Sequence, residues 1–173
     1  MHGIHPAAVL SSFSITDPED LADPLAIRAE YTIADYALDA SPYLLFRVPA
    51  ATGVFDFLSQ AVLGGLTGLA EREHAVGIGT TLGIEESSSV TLPRGWTVES
   101  LPDAVSFAQG AIGLSIAYEF APATAASPPA VKYHRTLSID SHEISPADYL
   151  ALKEAVRLAS RSTSGEVILR KES

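Results

Sequence analysis

Val131-Lys132-Tyr133-His134-Arg135-Thr136-Leu137-Ser138-Ile139 reads as a strand with two unlike faces. Successive side chains of an extended chain point to opposite sides. Tyr133, Arg135, Leu137 and Ile139 therefore share one face, and His134, Thr136, Ser138 and the following Asp140 share the other. Just beyond it the period changes. Ser145 is a good N-cap, Pro146 sits at N1, and Asp148 at N3 completes a short capping-box variant. Ile144 and Tyr149 can clamp that start as a hydrophobic staple. Tyr149, Leu152, Val156 and Ala159 line one helical face, and Arg157 and Arg161 complement the dipole near its C-terminal end. Ser164-Gly165 stops the helix, and Glu166-Val167-Ile168-Leu169-Arg170 reads as a closing strand that pins the C-terminus into a sheet.

The same period-two signal dominates upstream. Leu25, Ile27, Ala29, Tyr31 and Ile33 alternate with Ala26, Arg28, Glu30 and Thr32, the pattern of a half-buried strand. Tyr43 to Val48 is denser in apolar residues and ends at Pro49. Gly83–Leu92, Trp96–Leu101 and Ala111–Phe120 supply further strands, bounded by Pro, Gly and Ser clusters such as Pro93-Arg94-Gly95. Consecutive strands without helices between them predict an all-β class, mainly an antiparallel β-sandwich, with one C-terminal helix and a closing strand. Residues 1–173 are read as a single β-sandwich-like domain, a fragment of a longer chain. Phe55, Leu58, Val62, Leu66 and Leu69 recur at helical spacing within Gly53–Ala70, although the glycines there weaken a helix. Ala121–Ala130, with Pro122, Pro128 and Pro129, reads as a mobile hairpin loop.

Composition narrows the chemistry. The 173 residues include 11 Lys and Arg against 21 Asp and Glu, a formal charge of −10. Such a balance argues against nucleic acid and anionic membranes as partners. The net negative charge lies before residue 132, where 15 acidic residues face 4 basic ones, and the last quarter of the chain is nearly balanced with 6 against 7. The absence of cysteine excludes a disulfide scaffold, a cysteine zinc site and a thiol nucleophile. The start, Met1-His2-Gly3-Ile4-His5-Pro6, lacks the basic and apolar regions of a signal peptide. The most apolar window, Gly53–Ala70, holds too many polar residues and glycines to predict membrane insertion.

Several residue groups invite a chemical reading. His134, Asp140, His142 and Glu143 lie in one short segment and suggest a small metal-dependent hydrolase. Six strand residues span about 20 Å, however, too far for one coordination sphere. Asp17, Glu19, Asp20 and Asp23 form a carboxylate-dense loop without the spacing of a calcium loop. Gly77-Ile78-Gly79-Thr80-Thr81-Leu82-Gly83 lacks a following Lys, meets Glu85-Glu86, and is read as strand bends and not a nucleotide loop. No Gly-x-Ser-x-Gly elbow is present, which leaves only a dispersed triad among the Ser and His residues. Tyr31, Tyr43, Trp96 and Tyr118 would make a glycan platform if exposed together, but most sit in apolar runs. No cofactor, metal ligand or catalytic residue is assigned.

Leu92-Pro93-Arg94-Gly95-Trp96-Thr97-Val98-Glu99-Ser100-Leu101-Pro102 carries a more specific pattern, Leu-Pro-x-Gly-x-x-Val-x-x-Leu-Pro. It resembles the C-terminal β-domain, of unknown function, of bacterial transglutaminase-like proteins, whose catalytic core has a papain-like fold. Tyr133–Ile139, Ile144–Leu152 and Val167–Lys171 are similar to the same domain. So, upstream, are Asp20-Leu21, Pro24-Leu25 and Phe46-Arg47-Val48-Pro49. The family's catalytic Cys-His-Asp set belongs to the preceding domain, and no residue here inherits it. The resemblance implies a non-catalytic accessory domain packed beside that upstream core or binding an envelope partner, in a periplasmic or extracellular setting. A stand-alone module for a glycan or peptide ligand is the rival reading, and the His134/Asp140/His142 hydrolase is the second.

Overall fold

Alternation in the sequence becomes antiparallel pairing in space. The computed structural model describes residues 7–17, 19, 27–48, 63, 65–162 and 165–172. The chain divides into two units, Met1–Tyr36 and Ala37–Ser173.

The first unit is a ribbon of two antiparallel strands, β1 (Ala8–Ile15) and β2 (Ile27–Ile33). A register shift between Leu10 and Ser12 decides its faces. Leu10 pairs with Tyr31 before the shift; Phe13 pairs with Ala29 and Ile15 with Ile27 after it. Those partners are two residues apart, so the bulge aligns Leu10, Phe13 and Ile15 on one face. An unbroken register would have put Leu10 and Phe13 on opposite sides. Ser11 Oγ donates to the Glu30 carbonyl and Ser12 Oγ to the Glu30 carboxylate, each at 2.9 Å, which holds the bulge in place.

The second unit contains two four-stranded sheets and a two-stranded pair. Its strands are β3 (Leu38–Ala40), β4 (Tyr43–Phe46), β5 (Val76–Gly77), β6 (Leu82–Thr91), β7 (Trp96–Ser100), β8 (Val105–Gln109), β9 (Ile112–Ala121), β10 (Ala130–Ile139), β11 (Glu143–Ile144) and β12 (Val167–Lys171). The helix α1 spans Pro146–Ser162. One sheet runs β6-β10-β9-β8, the other β3-β4-β12-β7, and β5 pairs with β11. Every pairing is antiparallel. The strand-dominated class with a C-terminal helix and closing strand is thus the observed one. The closing strand β12 lies between β4 and β7, in the interior of its sheet.

Cross-strand register builds the larger sheet's inner face in rows. Leu82, Ile139 and Ile112 form one row, and Ile84, Leu137, Leu114 and Phe107 form the next. Ile112, Leu114, Ile116, Leu137 and Ile139 are buried together with Tyr149, Leu152, Ala155 and Ala159 of α1. The helix packs on β9 and β8, so the face that a sandwich would close with a second sheet is closed there by α1. Each such aliphatic side chain contributes roughly 1.5–3 kcal/mol on full burial. That sum is why the helix sits where it does.

Local signals fix the helix start. Asp148 N–H donates to Ser145 Oγ at 3.1 Å, and Ser145 Oγ donates to Asp148 Oδ2 at 2.8 Å. The residues before the helix are clamped to its side. Tyr149 Oη donates to the Leu69 carbonyl at 2.9 Å and accepts from Leu69 N–H at 3.1 Å. Arg72 and Lys153 both stand over the Tyr149 ring, 5.2 and 5.7 Å from its centre. The helix expected within Gly53–Ala70 falls mostly outside the described residues; Leu63 is fully buried and begins a turn through Leu66 and Thr67.

Five strands, β1, β3, β5, β8 and β11, go beyond the sequence reading. β8 was no strand candidate, because five residues, Val105-Ser106-Phe107-Ala108-Gln109, carry little periodic signal alone; its hairpin with β9 supplies the order. The turn is Gly110-Ala111, with Gly110 at φ 57°. A side chain there would also run into the Asp148 carboxylate. β1 gives no clear strand signal either, since its bulge breaks the alternation, and β3, β5 and β11 are only two or three residues long. Gly79 and Gly95, at φ 77° and 81°, make the bends expected of their turns.

Candidate functional site

The outer face of the β6-β10-β9-β8 sheet is the polar one. Register brings Ser89, Lys132 and Glu119 into one row, Ser87, His134 and Ala117 into the next, and Glu85, Thr136 and Ser115 into a third. His134, Thr136 and Ser138 share this face, as their spacing requires. Small side chains at Ser87, Ser89 and Ala117 leave a trough of about 440 Å³, walled by Lys132, His134 and Glu119. Its volume falls within the usual range of ligand clefts, about 300–1,000 Å³.

His134 Nδ1 lies 2.9 Å from Ser87 Oγ and 3.9 Å from Glu85 Oε1. A relay of the triad type needs the hydroxyl on one ring nitrogen and the carboxylate on the other. Here both approach the same nitrogen, so the trio lacks the arrangement of such a relay. Asp140 follows the strand as an exposed residue whose N–H donates to the Ala111 carbonyl at 2.8 Å. His142 is exposed in the link to β11, and its carbonyl accepts from Ile78 N–H at 2.9 Å. Among the described residues no three His, Cys, Asp or Glu side chains gather as a metal site would require.

The other sequence candidates separate. Glu19 N–H donates to Asp17 Oδ1 at 2.9 Å in a local turn, and Asp20 and Asp23 lie outside the described residues. Gly77–Gly83 runs from the end of β5 through the Gly79 bend into β6, with no helix start to receive a phosphate. Tyr43 on β4 and Trp96 on β7 flank β12 in the smaller sheet, whereas Tyr118 lies on the inner face of the larger one. The Tyr31 side chain is outside the described residues. No shared aromatic platform results from the other three.

The inner face holds the feature that sequence reading missed. Arg135, fully buried among apolar neighbours, faces Glu86 across β10 and β6. Its Nε and Nη2 donate to Glu86 Oε2 at 3.0 and 2.6 Å. Glu86 Oε1 is also buried, yet it accepts no hydrogen bond from the described residues. An oxygen in that condition costs about 1–3 kcal/mol. Tyr118 and Tyr133 stack one row away, with centres 5.0 Å apart and planes tilted by 49°. Burial pushes the Tyr118 phenol above its ordinary pKa; Arg135 opposes that shift and Glu86 adds to it. The place of Arg135 on the face of Tyr133, Leu137 and Ile139 was legible from the strand period; its partner was not, because pairing β10 with β6 is a long-range fact.

The sequence model of one family, described as Domain of Unknown Function with solved-structure structure (DUF3858), matches residues 56–169. The chain belongs to that family. The DUF3858 match takes in the whole β6-β10-β9-β8 sheet, α1, the trough and the Glu86–Arg135 pair. The likeness read upstream, in Asp20–Leu25 and Phe46–Pro49, lies outside the matched DUF3858 residues. No curated protein and no solved structure matches the chain.

Proposed function

We propose that this chain is a non-catalytic accessory domain of a bacterial transglutaminase-like protein, acting by association with the upstream catalytic core or with an envelope protein. The observation that carries the reading is the polar outer face of the larger sheet. It offers a shallow trough with mixed donors and acceptors, and its nearest hydroxyl–imidazole–carboxylate trio converges on one ring nitrogen. Such a surface suits recognition better than covalent or acid–base chemistry. The pattern Leu92–Pro102 supports the transglutaminase-like context, and with it a periplasmic or extracellular setting.

The test is to express the natural protein with its upstream sequence, with and without this chain, and to compare the activity of the core. Loss or redirection of activity on deletion supports the accessory role. Unchanged activity toward every substrate tried contradicts it. Among the described residues no helix is long and apolar enough to cross a membrane.

A further inference from the structure

The strand β6 ends the larger sheet: β10 is hydrogen-bonded to one side, and among the described residues no strand lies on the other. It is ten residues long, twice the length of β8 at the opposite edge. Natural sheets shorten, cover or kink such edges, because a row of unpaired N–H and C=O groups invites another strand. Here β6 instead pairs without interruption along its whole length with β10. Its inner-face residues Leu82 and Ile84 are only partly buried, leaving apolar flank that a neighbouring strand would cover.

A second observation sits on the same edge. Glu86, 9% exposed, keeps Oε1 buried and without a hydrogen bond from the described residues, although Arg135 satisfies Oε2. Next to it, on the outer face, Glu85 is largely exposed, with Oε1 3.9 Å from His134 Nδ1. Two successive carboxylates thus present acceptors on both faces of one edge strand. The trough at Ser87, Ser89, Lys132 and His134 adjoins the same edge and can receive outward-pointing side chains.

We propose that β6 is a strand-addition site for an extended, basic segment of a partner polypeptide. Main-chain pairing along Leu82–Thr91 would supply the affinity, as in other complexes built by adding a strand to a sheet edge. A Lys or Arg beside Glu86 would bring a donor to Oε1, and a second basic residue, one position along, would meet Glu85. The alternation of an extended chain places those two side chains on opposite faces. The proposal rests on the reading of the chain as an interaction domain and names the chemistry of its partner.

The probe is a short lysine–valine peptide with two adjacent lysines at its centre, one for each face, with a glutamate–valine peptide of equal length and two adjacent glutamates beside it. Binding to the whole chain is followed by fluorescence anisotropy, and hydrogen exchange reports which amides gain protection. The basic peptide is expected to bind and to protect amides in Leu82–Thr91, and the acidic one is expected to do neither. Glu85→Lys, at an exposed position where folding is unaffected (checked by thermal unfolding), is expected to weaken binding about tenfold or more. Equal binding of both peptides, protection confined elsewhere, or full affinity in Glu85→Lys would each overturn the proposal. If the basic peptide fails while the upstream core still associates, the strand site is wrong and the interaction reading stands.

Discussion

Arg135 carries a full charge into the apolar face of a sheet, and Glu86 is what makes that tolerable. Removing one member of a buried pair leaves the other uncompensated, whereas replacing both by apolar residues is often neutral. Arg135→Met alone is expected to destabilise the domain by about 3–5 kcal/mol in urea denaturation. The double change Arg135→Met with Glu86→Leu is expected to recover most of that loss. A double variant no better than the single would show that the pair has no mutual dependence. One row away, Tyr118 provides a pH handle. Burial raises its folded pKa, so above the unfolded value the unfolded chain releases a proton that the folded chain keeps. Stability therefore declines as pH climbs past about 10, and Tyr118→Phe is expected to flatten the decline when denaturation is followed across that range. At this scale the sequence was informative about direction but silent about partners. The strand period placed Arg135 with Tyr133 and Leu137; nothing local announced that Glu86 would stand opposite.

Elements were legible where a local signal and a tertiary contact agreed. Ser145, Pro146 and Asp148 mark the start of α1, and the observed bonds between Ser145 and Asp148 are those of the cap. Ser145→Ala is expected to cost about 0.5–2 kcal/mol by thermal or chemical unfolding. The β8–β9 turn was less legible because its constraint comes from the helix it touches. At Gly110 an added side chain meets both a positive φ and the Asp148 carboxylate, whereas at Gly79 the same φ class opens onto free space. Gly110→Ala is accordingly expected to destabilise clearly more than Gly79→Ala, whose strain is of order 1–2 kcal/mol. Equal losses at the two positions would remove the contact with Asp148 from the account. The ribbon β1–β2 illustrates the opposite failure of local reading. Its bulge at Ser11 shifts the alternation by one, so a period-two search along β1 sees no single apolar face, although the paired register has one.

Across the whole molecule, the acidic composition and the absence of cysteine excluded chemistries without choosing a function. The class of fold was readable because strand after strand alternates without intervening helices. The site was readable only in part. His134 could be put on a polar face, but the trough needs Ser87 and Ser89 from β6 and Glu119 from β9, which only the sheet order brings beside it. His134, Asp140 and His142, close in sequence, end in different settings because the strand stops before the last two of them. What the assembled sheet offers is a surface of mixed polarity with an edge that no described strand covers. The measurement that bears most directly on it is sedimentation of this chain, expressed separately, together with the natural upstream core. The expected result is a co-sedimenting complex that Glu85→Lys weakens and that added lysine–valine peptide displaces. Two independently sedimenting species, with a core fully active on its own, would contradict the account.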